Sequence, residues 1–504
     1  MLTTVNKISY PEIVIGLVSP LGVHATSTTK RLRTYFRKRG YKVHEIKLSD
    51  HFETIKRNSS IDSPLTYTSS SDRIKKYIDF GNATREHFSD NAILALLATY
   101  LIIEKRLEAE KDKSKENRFT KNVYIISQFK REEEIDLMRS IYGPIFFQVS
   151  IYSKRSTRVK NLALRFRKEA NSAEYLQFLP EAESLVTIDQ NEAEKDHGQR
   201  VSKIFHDADF IVNEDTQTLT VSSQVQRFCS LLFGSTTISP SKMEYGLFAA
   251  KSAALRSLDL SRQVGAAIFK ETGEVIALGS NEVPKAKGGT YWSDETHDDR
   301  DYKRGEDPNV VRNNQVLSEL FKILEIDKEN IPAEKMKRIR KSSFMSSIEY
   351  SRVVHAEMSA LSDAARNGYA VKGSFLYTTT FPCHLCAKHI IASGIKSVIY
   401  LEPYPKSLAE YLFEDSIQIE GTDRGNYSSF PYVEFQHFYG ITPRRYSTFF
   451  EGGVRKDKTT GKLKRYRTSP MTPIIDIKSP YYAQNEDTAI LSFDDEIIGS
   501  SSEI

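Results

Sequence analysis

The sequence predicts an α/β protein in two parts: an N-terminal parallel sheet with helices, then a second part in which helices alternate with strands. Three observations carry this. An apolar run from Glu12 to Val18 passes into a glycine-bearing turn ending at Gly22 and is followed by a helical pattern and a second strand, which is how a parallel sheet begins. Past Met243, an amphipathic helix and an apolar hairpin precede two short helical patterns that open on His355-Ala356-Glu357 and on Pro382-Cys383-His384-Leu385-Cys386. Finally, 504 residues exceed what one ordinary domain holds.

Taken in order, the helical pattern through Thr28–Phe36 stops at Gly40, and Tyr41–Ile46 reads as the second strand. The stretch Ala92–Ile103 is apolar but well short of the ~20 residues that cross a bilayer, so a buried helix is expected there. Asn122–Ser127, Ile145–Ser150 and Ala208–Asn213 read as further strands of the first sheet, with a charged helical crossover at Lys130–Arg139. Arg155, Arg158, Lys160, Arg165, Arg167 and Lys168 crowd the next segment, as a phosphate-clamping region or as a solvated helix face.

The turn closing at Gly22 is a candidate phosphate cradle through Gly16, Ser19 and Gly22, because backbone amides at a helix N-terminus attract anions. It lacks the Lys and hydroxyl of a Walker A motif, since Val23 and His24 follow Gly22, so phosphoryl transfer is not expected. Glycines serving only the geometry of a tight turn are the alternative.

The breaker-rich run Phe233–Ser241 joins two patterned regions and marks the domain boundary, giving parts at 1–235 and 236–470 with a flexible tail at 471–504. Within the second part, Met243–Leu258 is an amphipathic helix, and Ser261–Phe269 and Glu274–Pro284 form a hairpin about Thr272-Gly273. A long polar insertion, Lys285 to about Ser343, is expected to carry its own helices or to roof a site. Ser397–Leu401 and Tyr432–Phe435 add strands.

Composition excludes several classes. A net charge of +5 over this length gives no nucleic-acid footprint by itself. Three cysteines give no disulfide framework and point to a reducing compartment, and the N-terminus lacks the basic start and apolar run of a signal peptide, so a cytoplasmic protein is expected.

The chemistry resides in His355, Cys383 and Cys386. One imidazole and two thiolates suit tetrahedral Zn²⁺, and a catalytic zinc keeps a fourth position for water. A helix opening at the cysteines favours the thiolate form. Glu357, two residues after His355, is placed to handle protons between water and a bound base. His-x-Glu followed by Pro-Cys-x-x-Cys is the signature of zinc nucleobase deaminases. The alternatives are a redox pair or a structural zinc, for which His384 or His389 would supply a fourth ligand; Cys229 lies far upstream.

Residues 243–450 resemble the deoxycytidylate deaminase family. The resemblance is carried by Arg262-Gln263-Val264-Gly265-Ala266-Ala267, Gly279-Ser280-Asn281-Glu282-Val283-Pro284, His355-Ala356-Glu357 and Thr380-Phe381-Pro382-Cys383-His384-Leu385-Cys386, in family order. It implies a cytidine deaminase-like α/β/α fold, an oligomer, and attack of a zinc-activated water on C4 of a deoxycytidine nucleotide. Glu357 would shuttle the proton, Ala356 would contact the base through its amide, and Asn281 would hold the sugar. Arg262 belongs to the same substrate-binding set. Lys285, Lys287, Arg300, Lys303 and Arg304 of the insertion are candidates for the phosphates, or else solvated surface.

The longer chain resembles the two-domain anti-phage dCTP/dCMP deaminases, whose first domain is a degenerate P-loop kinase-like unit. Gly16–Gly22, Tyr142-Gly143, Gly198-Gln199-Arg200, Pro403–Ser407 and Gly440–Tyr446 carry that likeness. It implies depletion of the dCTP pool and a small inhibitory RNA as a partner; dTTP is a candidate allosteric nucleotide, and no membrane partner is expected. Two readings compete with this: a deaminase of single-stranded DNA or tRNA, and a nucleotide- or RNA-sensing regulator whose zinc is structural.

Overall fold

The computed structural model describes residues 7–110, 118–216, 219–342, 344–463 and 472–491. It divides into two compact units, one of residues 1–244 with 439–504 and one of residues 245–438. Among the described residues the strands are β1 (Ile13–Val18), β2 (Lys42–Lys47), β3 (Asn122–Ser127), β4 (Phe146–Tyr152), β5 (Phe210–Asn213), β6 (Gly265–Phe269), β7 (Val275–Ser280), β8 (Phe375–Thr380), β9 (Ser397–Glu402), β10 (Ile417–Ile419), β11 (Val433–His437) and β12 (Gly440–Ile441). They form two mixed sheets in which parallel pairs dominate, and the protein is α/β.

In the first unit the sheet order is β12-β5-β4-β1-β3-β2. Every residue of β1 is buried, as expected of a central parallel strand covered on both faces, and Ile15 sits beside Ile125 of β3 and Phe147 of β4. The apolar stretch beyond Ala92 is a helix, Ile93–Glu110, with Ile93, Leu94, Leu97, Leu101 and Ile102 in the core. No described helix is long and apolar enough to cross a membrane.

The structure divides the chain differently from the expected 236–470 and 471–504. The first unit runs on through Glu244, past the breaker-rich stretch and into the Lys242–Ala254 helix. Residues 439–463 also return to it: β12 pairs antiparallel with β5, Thr442 Oγ1 donates to the Ala208 carbonyl at 2.6 Å, and Arg445 Nε reaches the buried Asp209 at 3.0 Å. Part of the expected flexible tail is ordered. Tyr482–Ile490 is a helix whose Glu486 takes both Nη donors of Arg106 at 2.7 and 2.8 Å, while Arg106 Nε bonds Glu12 at 2.9 Å. Glu12 also accepts from Asn122, Tyr124 and Tyr482, so this buried charge cluster is hydrogen-bonded on several sides. Tail residues 492–504 lie outside the described residues.

The second unit has the order β10-β11-β9-β8-β6-β7, with the β6–β7 hairpin antiparallel and β8, β9, β11 and β10 parallel. The insertion carries its own helices, including Pro308–Ile323 and Ala333–Arg340.

Candidate metal and substrate site

Two helix starts build the site. His355 is the extended residue before the Ala356–Arg366 helix, held there by a bridge in which Val354 and Glu282 exchange backbone hydrogen bonds of 3.1 and 3.3 Å. Cys383 occupies the corresponding place before the His384–Ala392 helix, and Cys386 lies in its first turn, fully buried. The first helix lies close against β7 because position 279 is glycine: a Cβ there would collide with the Ala356 carbonyl oxygen. Ala356, Ala360, Ala387 and Ile390 fill the space between these helices and the sheet.

His355 Nδ1 stands 3.2 Å from Cys383 Sγ and 3.4 Å from Cys386 Sγ. Metal–ligand bonds of about 2.0 Å to nitrogen and 2.3 Å to sulfur put tetrahedral N and S ligands about 3.5 Å apart, so the three atoms fit one Zn²⁺. All three lie within 4.8 Å of one another, and among the described residues this is the group of three or more such side chains able to hold a metal. His384 and His389 are outside it, and Cys229 is buried in the first unit's Val221–Leu232 helix, where desolvation pushes its thiol well up. Hydrogen bonds from Cys386 and His355 pull the Cys383 thiol down to about 4, and the bond to Cys383 raises His355.

Glu357 is buried, and its carboxyl is raised first by desolvation and then by the negative charge of Cys383. Its Oε1 lies 3.3 Å from Thr378 Oγ1 on β8. His355, Glu357 and Cys383 open on a cavity of about 410 Å³, within the range of small-molecule sites. Ala356, Asn281 and Arg262 line it too. Asn281 is fixed between two backbone groups: Oδ1 accepts from Val264 N at 2.7 Å and Nδ2 donates to the Arg262 carbonyl at 2.8 Å. One further proton and lone pair remain on that amide for a ligand.

The insertion's cations are placed differently from expectation. Arg304 pairs with Asp299, Lys285 pairs with Glu295, and Lys303 lies over the Tyr302 ring; none of the three lines the cavity, nor does Lys287. Arg300 is buried and bonds Asp298 and Glu282, a structural role. The insertion's Asp301, Asp307 and Asn309 line the cavity instead. The positive charge there comes from Arg262 and from Lys406, which, with Tyr404, was not assigned to the site in advance. The available signal was their place in Pro403–Ser407, between a strand and the next helix.

The glycine turn of the first unit is closed by its own chain. Leu21 N donates to Asp189 at 2.7 Å and His24 N to Glu214 at 2.9 Å, so carboxylates hold amides that an anion would use. A Cβ at Gly16 would meet Phe146 at 2.8 Å, and one at Gly22 would meet the Arg158 backbone, so both glycines serve close packing. The Ser19 carbonyl accepts from Lys130 at 3.2 Å.

With this geometry in view, residues 240–402 match the family described as the cytidine and deoxycytidylate deaminase zinc-binding region. The chain is 48% identical over 54 residues to the deoxycytidylate deaminase of Enterobacteria phage T2, covering 11% of this chain and 29% of that one. It is 31% identical over 158 residues to a probable deoxycytidylate deaminase of Drosophila melanogaster, covering 31% and 58%. The matches thus span less than two thirds of these relatives. The apo dCMP deaminase of cyanophage S-TIM5 superposes with a TM-score of 0.21 at 18% identity, over 39% of this chain and 99% of that one.

Proposed function

We propose that the second unit hydrolytically deaminates a deoxycytidine nucleotide, dCMP or dCTP, to the deoxyuridine nucleotide. The observation that carries this reading is the buried Glu357 beside a three-ligand group that opens on a small-molecule cavity. A structural site would fill a fourth protein ligand and would have no use for the carboxyl.

His355, Cys383 and Cys386 would hold Zn²⁺, which when bound lowers the pKa of a water toward neutrality. Glu357 would take one proton from the attacking water and deliver it to N3 as the water oxygen bonds C4, then carry the second proton from the new C4 hydroxyl to the amine, which leaves as ammonia when the C4–N4 bond breaks. The Ala356 amide orients the base, Asn281 holds the sugar, and Arg262 with Lys406 supplies charge for the phosphate. The Asp259 carboxylate, accepting from Ser261 N at 2.8 Å and Arg262 N at 3.1 Å, keeps the loop bearing Arg262 in place.

The finer reading is that of a two-domain anti-phage deaminase which drains dCTP in the cytoplasm as a homo-oligomer, with dTTP and a small RNA as regulators. The parallel order β2-β3-β1-β4-β5 supports a kinase-like first unit, and a turn without a Walker A Lys after Gly22 is not expected to transfer phosphoryl groups. Incubating the purified chain with dCMP, dCTP, CMP and a cytosine oligonucleotide, with and without dTTP, and following ammonia release tests the proposal. Turnover confined to the oligonucleotide, or none on any of the four, would sink it.

A further inference from the structure

The carboxyl of Glu357 meets a hydroxyl that the mechanism above does not use. Thr378 Oγ1, on β8, lies 3.3 Å from Glu357 Oε1 and 2.9 Å from the Thr380 carbonyl oxygen, with the Thr380 amide nitrogen at 3.5 Å. We propose that Thr378 is a positioning residue for the deamination: its hydroxyl holds Oε1 of the Glu357 carboxylate, leaving Oε2 to take and deliver the protons. This role rests on the deaminase reading of the second unit and adds a residue to that reaction.

The fold gives this hydroxyl a rigid mount. β8 is an interior strand, and Thr378 pairs with Ala266 of β6 on one side and with Tyr400 of β9 on the other. Side chains two apart on a strand share a face. On this face Leu376 packs into the apolar cluster with Ala356 and Ala360, and Thr380 reaches the cavity wall. Thr378 stands between them, fully buried, and faces Glu357 in the first turn of the Ala356–Arg366 helix. A valine would give the strand the same branched shape without a hydroxyl to desolvate. The Thr380 carbonyl satisfies that hydroxyl, so the contact with Glu357 goes beyond what burial requires.

A threonine hydroxyl has one proton to give. Glu357 Oε1 and the Thr380 carbonyl therefore compete for it, and a charged acceptor makes the stronger bond. While Glu357 is a carboxylate, the hydroxyl proton turns to Oε1 and aims Oε2 at the attacking water. Once Oε2 has taken a proton, Oε1 is a neutral carbonyl oxygen, and the shorter contact draws the hydroxyl back to Thr380. The threonine keeps its own proton throughout. Its grip is firm while the carboxylate accepts a proton and slackens as the acid delivers one to the base, which is the order the reaction needs. Rotation about a single bond thus keeps a buried carboxylate hydrogen-bonded whenever it is charged.

Steady-state kinetics of the full chain on dCMP and dCTP, comparing the parent with Thr378→Val and Thr378→Ser, tests this role. Each protein is also checked by elemental analysis for zinc, by thermal melting and by calorimetric binding of dUMP. Thr378→Val should lower kcat about tenfold, as loss of a hydrogen bond to a charged group does, with KM within about twofold and no loss of zinc, melting temperature or dUMP affinity. Thr378→Ser restores the hydroxyl and should recover most of that loss. In a Glu357→Gln background, Thr378→Val should change the residual rate by less than about twofold, because the residue acts through the carboxyl. Four results would overturn the proposal: Thr378→Val turns over like the parent; Thr378→Ser is as slow as Thr378→Val; the loss of kcat comes with loss of zinc, stability or dUMP affinity; or the loss is just as large in the Glu357→Gln background. A parent chain that turns over neither nucleotide would overturn the deaminase reading and the role of Thr378 with it, whereas an active parent matched by Thr378→Val removes only the role of Thr378.

Discussion

His355 Nδ1 and Cys383 Sγ lie 3.2 Å apart although 28 positions separate them in the chain. Each is the residue just before a helix, and both helices rest on one sheet, so convergence is set by packing rather than by a flexible loop. Glu357 is one helical position beyond Ala356 and shares the same cavity. The ligands and the carboxyl therefore separate experimentally: Glu357→Gln should keep about one zinc per chain by elemental analysis while ammonia release falls about 10²–10⁴-fold, the range of general acid–base contributions. His355→Ala should lose both. Zinc loss from the Glu357 variant would show that the carboxyl is structural.

Gly279 sets how closely the Ala356–Arg366 helix approaches β7. Gly279→Ala should cost about 1–3 kcal/mol, as overpacking does, and should lower zinc content and turnover together by shifting His355. Urea unfolding with parallel metal analysis checks it; an unchanged zinc affinity would mean the helix moves as a unit without disturbing the ligands.

Arg262 and Arg304 make opposite predictions. Arg262 lines the cavity and also bonds Glu402 at 3.1 Å, whereas Arg304 is turned to Asp299. Arg262→Ala should raise KM for a deoxycytidine nucleotide about tenfold, the loss of a charged hydrogen bond of about 1.5 kcal/mol. Arg304→Ala should leave KM within twofold. Steady-state kinetics on the two variants, with equal KM values as the contrary result, decides between them.

Arg106 joins Glu12 at the start of β1 to Glu486 in the C-terminal helix. Replacing it by Ala strands two buried carboxylates and should cost about 3–5 kcal/mol. Arg312→Ala, which breaks an exposed pair with Glu319, should cost under about 1 kcal/mol. Denaturant unfolding compares the two, and equal small effects would show that the C-terminal helix is not anchored through this cluster.

Glu133 provides a pH test in the first unit. Its hydrogen bond from Arg131 lowers its carboxyl from 4.5 to about 2. A folded-state pKa below the unfolded value adds stability that is fully present above about 4.5 and is lost as pH falls toward 2. Glu133→Gln should therefore be less stable than the parent at neutral pH, with the gap closing between pH 4.5 and 2. Because its side chain is 42% exposed, solvent screening keeps the effect small. A gap that does not change with pH would assign the difference to packing.

Much of the molecule was legible in the sequence because it is written in local patterns. The apolar run at Ile13–Val18 has to be buried on both faces, the hairpin has its turn at Thr272-Gly273, and an imidazole with a Cys-x-x-Cys pair has a short list of uses. By itself the sequence determined most of the strands, though not β10 or β12, the helix starts and the chemical types at His355, Glu357, Cys383 and Cys386. Only the tertiary structure decided which charges meet. Asp189 and Glu214 reach the turn at Leu21–His24 from more than 160 residues away, Glu486 closes on Arg106 across 380, and Lys406 joins the cavity while Arg304 turns to a neighbouring aspartate. The physical reason is range. Backbone preference and hydrophobic periodicity act over a few residues, whereas an ion pair or a cavity wall depends on where the whole sheet brings distant side chains.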